Sequence, residues 1–410
     1  MLGARTLGIL ILILFPSYSI IQRIAIAAGA WLGLSSGFIL FSFCGLILFY
    51  SVVVGLMLIF ARRYLFSNLG MRYSSNTSII FILFFVFVLI VLFMLIYPVA
   101  TSGYFGGGSD RDEALNMAVS SLLKGEYPYY QLTYVQGRPH ELGLDGHKIT
   151  PLPGELIISL LFFLLFGNAA YQLFFWLLIT IFLISKLLDS AQQSVFIVVA
   201  GYLLLPVMLH ESLTGGDLLC NSLWILDGVL MLYLSKSQKA LVGASVFLGF
   251  ALSSRINFLL ITPLITGLCF QKVGLKKTVL SGVTLATSFL LITLPFYFYD
   301  PTNFSPSHTY NKLGIFDELI PHIGLIVPLA SGLFSILFMF KFQGHPLMDW
   351  LYAMTVILAL PILAATLLQS IVRERLDFIE YAWYGLSWLY FALLAFFIRD
   401  EGHYLPSGSP

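Results

Sequence analysis

A polar segment at residues 101–150 carries the residues of this chain that are best suited to chemistry. It opens with Gly-Gly-Gly-Ser-Asp-Arg-Asp-Glu at residues 106–113 and closes with Thr-Pro-Leu-Pro at residues 150–153. Carboxylates placed beside hydrocarbon are costly, and about 50 residues are far more than a connection between helices needs. Both features predict a functional site in this segment.

Three acids near the start of the segment, Asp110, Asp112 and Glu113, fit two kinds of role. Asp110 and Glu113 have the spacing of a capping box, and acids in a first turn suit the helix dipole. A carboxylate at the same place can take a proton from a hydroxyl group, and a pair of acids can bind a divalent cation through oxygen. Which of the two roles applies depends on the secondary-structure elements that position these acids.

The composition excludes an ordinary soluble protein. Of the 410 residues, 59% are hydrophobic and 10% are charged, whereas a soluble domain carries about 25% charged residues. The net charge of +1 gives no indication of nucleic acid, and three scattered cysteines do not predict a disulfide framework. We expect an all-α, multi-pass protein of the plasma or inner membrane, with an uncleaved anchor at its N-terminus.

Apolar segments of spanning length predict about 12 transmembrane helices. They lie at residues 7–32, 36–61, 78–99, 170–188, 194–209, 218–234, 239–252, 255–270, 278–299, 319–340, 347–370 and 378–398. One further apolar segment, 154–166, is too short to span and predicts an interfacial or re-entrant helix.

The distribution of basic residues sets the predicted orientation. If segment 154–166 does not cross, one face collects most of the cations: Arg62, Arg63, Arg72, Lys186, Lys236, Lys239, Lys272, Lys276, Lys277, Lys341 and Arg399. Cytoplasmic loops are the ones enriched in Lys and Arg. The 101–150 segment is therefore expected outside the cytoplasm, with both termini inside it.

The residues after Asp110 have the period of an amphipathic helix. Leu115, Ala118, Val119 and Leu122 recur at i, i+3, i+4 and i+7, and Gly125 and Pro128 follow where such a helix would end. A short amphipathic helix beside a bilayer lies flat at the interface. This geometry would hold the acid at the helix start just above the lipid headgroups.

These features together resemble the first external loop of the GT-C superfamily of integral-membrane glycosyltransferases. That superfamily includes protein O-mannosyltransferases and lipid A aminoarabinose transferases. The resemblance rests on Asp110, on Gly125 fifteen residues later, on Tyr-Pro-Tyr at 127–129, and on the stretch from Thr-Pro-Leu-Pro to Leu-Phe-Gly at 150–167. It covers residues 78–260. In one departure, Ala114 stands where many relatives have Tyr, four residues after the acid.

The resemblance implies a role for several residues. Asp110 would be the general base that takes a proton from the acceptor hydroxyl. Asp217 of the second external loop would orient the acceptor or the donor sugar, or else serve as a helix cap. Arg255, in the turn at 253–257, would stabilise the phosphate of a lipid-linked donor as it leaves, or else snorkel to the interface.

Other polar residues on the predicted external face complete the expected site. Asp112 is the candidate ligand of a divalent cation, although it and Glu113 also suit a helix start. The further candidates for substrate binding are Glu113, His210, His308 and Lys312, the last two in an external segment at 300–318. Asp227 lies in mid-span, where an acid either marks a functional site or makes a hydrogen bond to a Tyr or Ser of another helix.

The expected architecture therefore has three parts. Residues 1–77 are N-terminal membrane helices, residues 78–270 a GT-C-like catalytic module that includes the external loop 100–168, and residues 271–410 C-terminal membrane helices. The expected activity is inverting transfer of a sugar from a polyprenyl-phosphate donor to a lipid, glycan or protein acceptor. The alternatives are a transporter or flippase, and a glycan polymerase or ligase that uses a lipid-linked oligosaccharide.

Overall fold

The computed structural model describes residues 75–308 except for 102–109, 134–146, 189, 192–193, 195–197, 200–201, 203–205, 256–257 and 260–261. Residues Ser74–Val199 and His210–Tyr310 form one compact unit, and every contact reported below lies within it. A second unit contains Met1–Tyr73, Ala200–Leu209 and Asn311–Pro410. The predicted spans 7–32, 36–61, 319–340, 347–370 and 378–398, much of 194–209, and Lys312 lie outside the described residues.

Helices make up most of the described chain, as the sequence predicts. They are α1 (Ser75–Thr101), α2 (Asp110–Leu123), α3 (Pro153–Phe166), α4 (Gln172–Leu188), α5 (Pro206–Thr214), α6 (Asp217–Leu234), α7 (Gln238–Leu252), α8 (Thr262–Val273) and α9 (Leu275–Tyr299). Short 3₁₀ helices lie at Pro128–Tyr130, Ala169–Tyr171 and Ser305–His308. The two-residue strands β1 (Leu132–Thr133) and β2 (His147–Lys148) pair antiparallel, with Leu132 opposite Lys148.

Three helical stretches of the described residues are long and apolar enough to cross a membrane: Ile79–Thr101, Ala169–Leu187 and Leu275–Tyr299. Large apolar side chains such as Ile80, Phe84 and Phe87 are exposed along α1, which suits contact with lipid. These helices make the chain a helical protein of the membrane type. The count of about 12 spans and the side on which each connection lies stay predictions.

The helix predicted at 255–270 begins later than expected, because α8 covers Thr262–Val273. Pro263 in its first turn suits a helix start, where the missing N–H is not needed. Arg255 lies outside the helix and is held by side chains from other elements. The 12 residues of α8 extend about 18 Å, which is short of the roughly 30 Å of a hydrocarbon core.

Close approach of backbones holds the bundle together around α7. A Cβ on Gly249 would lie 2.6 Å from the Leu285 carbonyl oxygen of α9, and one on Gly154 would collide with the Phe250 carbonyl oxygen. The Ser245 and Ser281 hydroxyls lie 2.5 Å apart in the same α7–α9 contact. Small residues at helix contacts are typical of membrane bundles.

The elements on either side of the 134–146 gap pack into one structure, which we call the cap (residues 110–133, 147–171 and 300–308). Leu115, Ala118 and Val119 are buried in its core, so the predicted apolar face of α2 is confirmed. Tyr127, Tyr129, Ile149, Leu152, Leu156, Ala169 and Phe304 fill the same core. Gly125 follows α2 with a φ of 75°, a left-handed conformation that suits the predicted helix end.

Helix α3 forms where a short, non-spanning segment is predicted. Its 14 residues extend about 21 Å, which is too little to cross a hydrocarbon core. Its first turn is buried, whereas Leu161, Leu164, Leu165 and Phe166 are exposed near its end. Gly167, with a φ of 70°, ends the helix.

Candidate functional site

The connections that the sequence predicts on one face meet at one end of the helices. The Tyr127 hydroxyl donates to the Phe296 carbonyl at 2.7 Å, and the Lys148 ammonium donates to Asn303 Oδ1 at 2.9 Å. The buried Tyr129 hydroxyl donates to the Pro151 carbonyl at 2.9 Å. The cap therefore lies against the end of α9. We call this region the polar end, and it also holds the first residues of α6 and the residues after α7.

A nearly buried arginine joins four chain segments at the polar end. Arg255 Nε lies 3.3 Å from Glu155 Oε2 of α3, and Arg255 Nη2 donates to Asp217 Oδ2 at the start of α6. Arg255 Nη1 donates to Thr150 Oγ1 at 3.1 Å. We call Thr150, Glu155, Asp217 and Arg255 the Arg255 cluster. The Arg255 side chain is 12% exposed and the Glu155 side chain 0%, so within this ion pair the cation is the accessible partner.

The two carboxylates of the Arg255 cluster outnumber its single cation. Burial raises the pKa of Glu155 well above its usual range; Arg255 opposes this shift and the Asp217 carboxylate adds to it. Asp217 and Asn221 approach Glu155 closely enough to affect its pKa, yet neither Glu155 oxygen makes a hydrogen bond of ordinary geometry among the described residues. Two buried acids that share one cation each raise the proton affinity of the other.

Glu155 and Asn221 are site residues that the sequence analysis missed. Glu155 was passed over because its segment reads as a plain apolar helix, although a single acid within such a segment is itself a signal. Asn221 follows Asp217 by one helical turn and so lies on the same face of α6. Arg255 and Asp217 were both predicted, and the structure joins them directly.

Asp112 anchors a second polar network at the same end. Its Oδ2 accepts a hydrogen bond from the Tyr97 hydroxyl near the end of α1, and Asn168 Nδ2 donates to the same hydroxyl at 2.9 Å. Asn116 of α2 completes the network by donating to Asn168 Oδ1 at 3.0 Å. Burial raises the pKa of Asp112 well above its usual range, against the lowering effect of the Tyr97 hydrogen bond.

The start of α2 is thereby fixed to its neighbours. Asp110 is the first residue of the helix, and its side chain lies outside the described residues, whereas Glu113 is half-buried. Among the described residues, no three His, Cys, Asp or Glu side chains have an arrangement that would hold a metal ion. The Asp112 carboxylate instead meets a tyrosine hydroxyl, and its role as a cation ligand stays a prediction.

A glycine pair shapes the start of α6 beside these networks. Gly215 has a φ of 80°, and a Cβ there would lie 2.5 Å from the Tyr97 ring and 3.1 Å from Asp112 Oδ2. Glu211 accepts the Gly216 N–H through its carbonyl at 3.0 Å and the Leu219 N–H through Oε2 at 3.4 Å. Gly216 is the N-cap residue and Asp217 is the first residue of the helix, so Asp217 does not occupy the N-cap position that the sequence allows.

The remaining predicted substrate contacts are not joined to the Arg255 cluster by any described contact. His210 lies in α5 and His308 ends the last 3₁₀ helix, but both side chains lie outside the described part of the chain, as does Lys312. Asp300 instead accepts hydrogen bonds from Asn303 Nδ2 at 2.8 Å and the Tyr130 hydroxyl at 3.0 Å. The Asn303 hydrogen bonds lower the pKa of Asp300.

The mid-helix acid Asp227 makes an interhelical contact. The Thr180 hydroxyl of α4 donates to Asp227 Oδ1 at 2.7 Å, and the Asp227 side chain is completely buried in the bundle. The interhelical hydrogen bond that the sequence allows is therefore present, with Thr as the donor in place of the expected Tyr or Ser. This contact ties α6 to α4.

The fold and the site define a helical membrane-type protein with a buried, ion-paired polar site where its cap meets its helix ends. Comparison with known protein families, with characterised proteins and with solved structures finds no match for the chain. The resemblance to GT-C glycosyltransferases is therefore carried by the sequence motifs alone.

Proposed function

We propose that this chain is a glycosyltransferase that moves a sugar from a polyprenyl-phosphate donor to a lipid, glycan or protein acceptor outside the cytoplasm. The observation that carries the proposal is the position of Arg255. It is a nearly buried cation paired with Asp217, and Gly215, two residues earlier, lies against Asp112 in the first turn of α2. A lipid donor reaches its enzyme sideways through the bilayer, so a site at helix ends fits it better than one in mid-bundle.

The proposed step uses Asp110 as the general base. Asp110 takes the proton of the acceptor hydroxyl while the hydroxyl oxygen forms a bond to the anomeric carbon. The bond between that carbon and the phosphate oxygen breaks, and the electron pair leaves with the polyprenyl phosphate. Attack opposite the leaving group inverts the anomeric centre. Tyr97 and Asp112 support this role because their contact fixes the first turn of α2.

Arg255 would receive the negative charge of the leaving phosphate. A guanidinium offers paired N–H donors in a fixed plane, which match phosphate oxygens. Low exposure strengthens such a contact, because electrostatic interactions are larger where water is excluded. Asp217 would hold the guanidinium in place through the ion pair that it already makes.

The distribution of charge supports an extracytoplasmic site. The ends of the helices opposite the polar end carry Lys186, Lys236, Lys239, Lys272, Lys276 and Lys277. Lys272 at the end of α8 lies 4.2 Å from the centre of the Tyr233 ring near the end of α6, so these basic ends are neighbours. Basic connections favour the cytoplasmic side, which leaves the polar end outside.

The decisive experiment measures transfer from radiolabelled polyprenyl-phosphate hexoses and pentoses to a membrane extract by the purified protein. Asp110→Asn should lower the rate about 100-fold, because the base is lost. Asp227→Asn, which makes the same chemical change in mid-bundle, should transfer sugar at the wild-type rate. Transfer that survives Asp110→Asn intact would remove Asp110 from the mechanism.

A chelator separates the two predicted roles of Asp112. If Asp112 holds a divalent cation, EDTA abolishes transfer and added Mg²⁺ or Mn²⁺ restores it. If the Tyr97 contact defines its role, transfer is unchanged by EDTA and falls in Tyr97→Phe. The measured rates in these two conditions assign Asp112 to one role.

Cysteine labelling tests the predicted orientation. In a variant without Cys44, Cys220 and Cys269, single cysteines at the exposed positions Glu126 and Lys276 should react from opposite faces of the membrane. Glu126 follows α2 in the cap and should react from outside the cell. Labelling of both positions from one face would contradict the proposed topology.

A transporter or flippase is the second candidate, and the buried charges of the Arg255 cluster favour it. Ionisable groups buried among membrane helices often mark a transport pathway. Counterflow of a lipid-linked sugar in liposomes, without any transfer, would establish this alternative. A glycan polymerase or ligase shares the proposed chemistry, and transfer only from lipid-linked oligosaccharides would identify it.

A further inference from the structure

The contacts of Arg255 raise a question that the proposed function leaves open. Two carboxylates already occupy the guanidinium: Asp217 through a hydrogen bond from Nη2, and Glu155 through an ion-pair contact of 3.3 Å to Nε. An incoming phosphate must replace one of them, because three anions around one buried cation repel each other. The looser contact belongs to Glu155, which makes it the partner that is displaced.

Among the described residues, Arg255 is the one cation that forms an ion pair with Glu155. The charges of Arg255 and Asp217 act on the pKa of Glu155. Glu155 in turn interacts electrostatically with Tyr129 and Cys220. Helices α2, α7 and α9 pack against α3. Ser253, just after α7, and Thr293 of α9 contribute hydroxyl groups. Helix α2 contributes Asp112, which accepts a hydrogen bond from Tyr97. A buried carboxylate that loses its cation is very costly unless it takes up a proton.

We propose that Glu155 is a positioning residue that couples binding of the donor phosphate at Arg255 to the uptake of one proton. In the free protein Glu155 and Asp217 hold the guanidinium between α3, α6 and the turn after α7. When the phosphate binds, Glu155 becomes protonated and remains as a neutral group beside Asn221. The inference rests on the proposed function, since it names the anionic group of that function's donor as the ligand.

The direction of the pH dependence follows from the partners of Glu155. Burial raises the pKa of Glu155 and Arg255 lowers it, so a phosphate that takes the place of Glu155 at Arg255 raises this pKa further. Between the pKa of the free protein and that of the complex, binding takes up a proton. Affinity should therefore rise as the pH falls, by at most about tenfold per pH unit.

The test measures binding of a polyprenyl methyl phosphodiester, which has no titrating proton near neutral pH and carries no sugar to transfer. The dissociation constant for the wild-type protein in detergent should fall as the pH is lowered from the pKa of Glu155 in the complex to its pKa in the free protein. Glu155→Gln, which mimics the protonated side chain, should bind with a pH-independent constant close to the tightest wild-type value. The control Asp227→Asn should keep the wild-type pH dependence.

Three results would overturn the inference: no binding of the phosphodiester, a pH-independent wild-type constant, or an unchanged pH dependence in Glu155→Gln. If Glu155→Gln does not fold, calorimetry of the wild-type protein in two buffers of different ionisation enthalpy counts the protons directly, and about one is expected.

The same measurements separate this inference from the proposed function. Flat pH dependence of binding with intact sugar transfer rejects the role of Glu155 and keeps the transferase. Proton-linked binding without transfer from any donor rejects the transferase and keeps the phosphate site at Arg255.

Discussion

Helix α6 carries two buried acids in contrasting surroundings. Asp217 begins the helix and forms an ion pair with Arg255, whereas Asp227 accepts a hydrogen bond from the Thr180 hydroxyl in mid-bundle. They lie ten positions apart in the sequence, which is about 15 Å along the helix axis. The first acid belongs to a network that joins the cap, α6 and the turn after α7, and the second joins one pair of helices.

Burial alone therefore does not identify a functional acid. Asp227 and Asp217 are both almost completely buried, yet only Asp217 shares a cation with a second carboxylate and lies at the helix end. The contact of Asp227 joins one of its oxygens to a single hydroxyl and involves no cation. A site with unequal numbers of anions and cations must exchange charge, either as protons or as ligand, when its partner changes.

Removal of the Arg255 cation should cause the largest losses of stability and of sugar transfer. Arg255→Ala leaves the carboxylates of Glu155 and Asp217 without their shared cation, so it should lower the free energy of unfolding by about 3–5 kcal/mol. Transfer should fall about 100-fold or more, as expected when charge stabilisation at the leaving group is removed. Denaturant titration in detergent and the transfer assay measure the two effects.

The matched variant Arg255→Lys tests whether charge or geometry matters. It keeps the cation but loses the paired donors, so it should recover most of the stability and little of the transfer rate. Full recovery of transfer by Lys would contradict the proposed contact with phosphate oxygens.

Loss of one anion should have the next largest effect. Asp217→Asn removes a charged hydrogen-bond acceptor from Arg255, which should cost about 1.5–3 kcal/mol of stability. The KM for the donor should rise, because the guanidinium is less firmly placed. An unchanged KM, with an intact fold by size exclusion, would show that Asp217 does not position Arg255.

The Asp112 network offers an intermediate case, an acid at the polar end with a neutral partner. Tyr97→Phe removes the hydroxyl that donates to Asp112 and should lower stability by about 1–3 kcal/mol, since a buried carboxylate oxygen is left without its donor. It should also lower kcat through Asp110 at the start of α2. A stable Tyr97→Phe protein with wild-type kcat would argue against a link between the two acids.

The smallest effect is expected at Asp227. Asp227→Asn keeps an oxygen that accepts from Thr180, so stability should change by less than about 1 kcal/mol and transfer should not change. Thr180→Val removes the donor and serves as the control, with an expected loss of about 1–3 kcal/mol. A loss of transfer in Asp227→Asn would erase the distinction between the two acids of α6.

Several helices of the described part could be predicted closely from the sequence because each has a simple signal, whereas α5 (Pro206–Thr214) starts within the predicted span 194–209 and continues into the predicted external loop. The apolar period of Leu115, Ala118 and Val119 located α2, and the short apolar segment at 154–166 located α3 as a helix of 14 residues. The start of α8 was misplaced because the apolar run begins at once after Arg255. Hydropathy does not report that α8 itself begins only at Thr262.

The site could be predicted only in part, since its pairings depend on contacts distant in sequence. Asp217 and Arg255 were each recognisable as polar residues at predicted helix ends. Their partner Glu155 lies 100 residues before Arg255, and no local pattern pairs them. The Tyr97–Asp112–Asn168 network was missed for the same reason, because a tyrosine near the end of an apolar helix reads as an ordinary interfacial residue.

The stoichiometry of the reaction distinguishes glycosyl transfer from movement of the intact lipid-linked sugar. The purified protein in liposomes is given a polyprenyl-phosphate sugar labelled in both the sugar and the lipid, together with the membrane extract that supplies the acceptor. Glycosyl transfer predicts one free polyprenyl phosphate released for each sugar transferred, with both products lost in Asp110→Asn. Movement of the intact doubly labelled lipid across the bilayer, with no polyprenyl phosphate released, would contradict it.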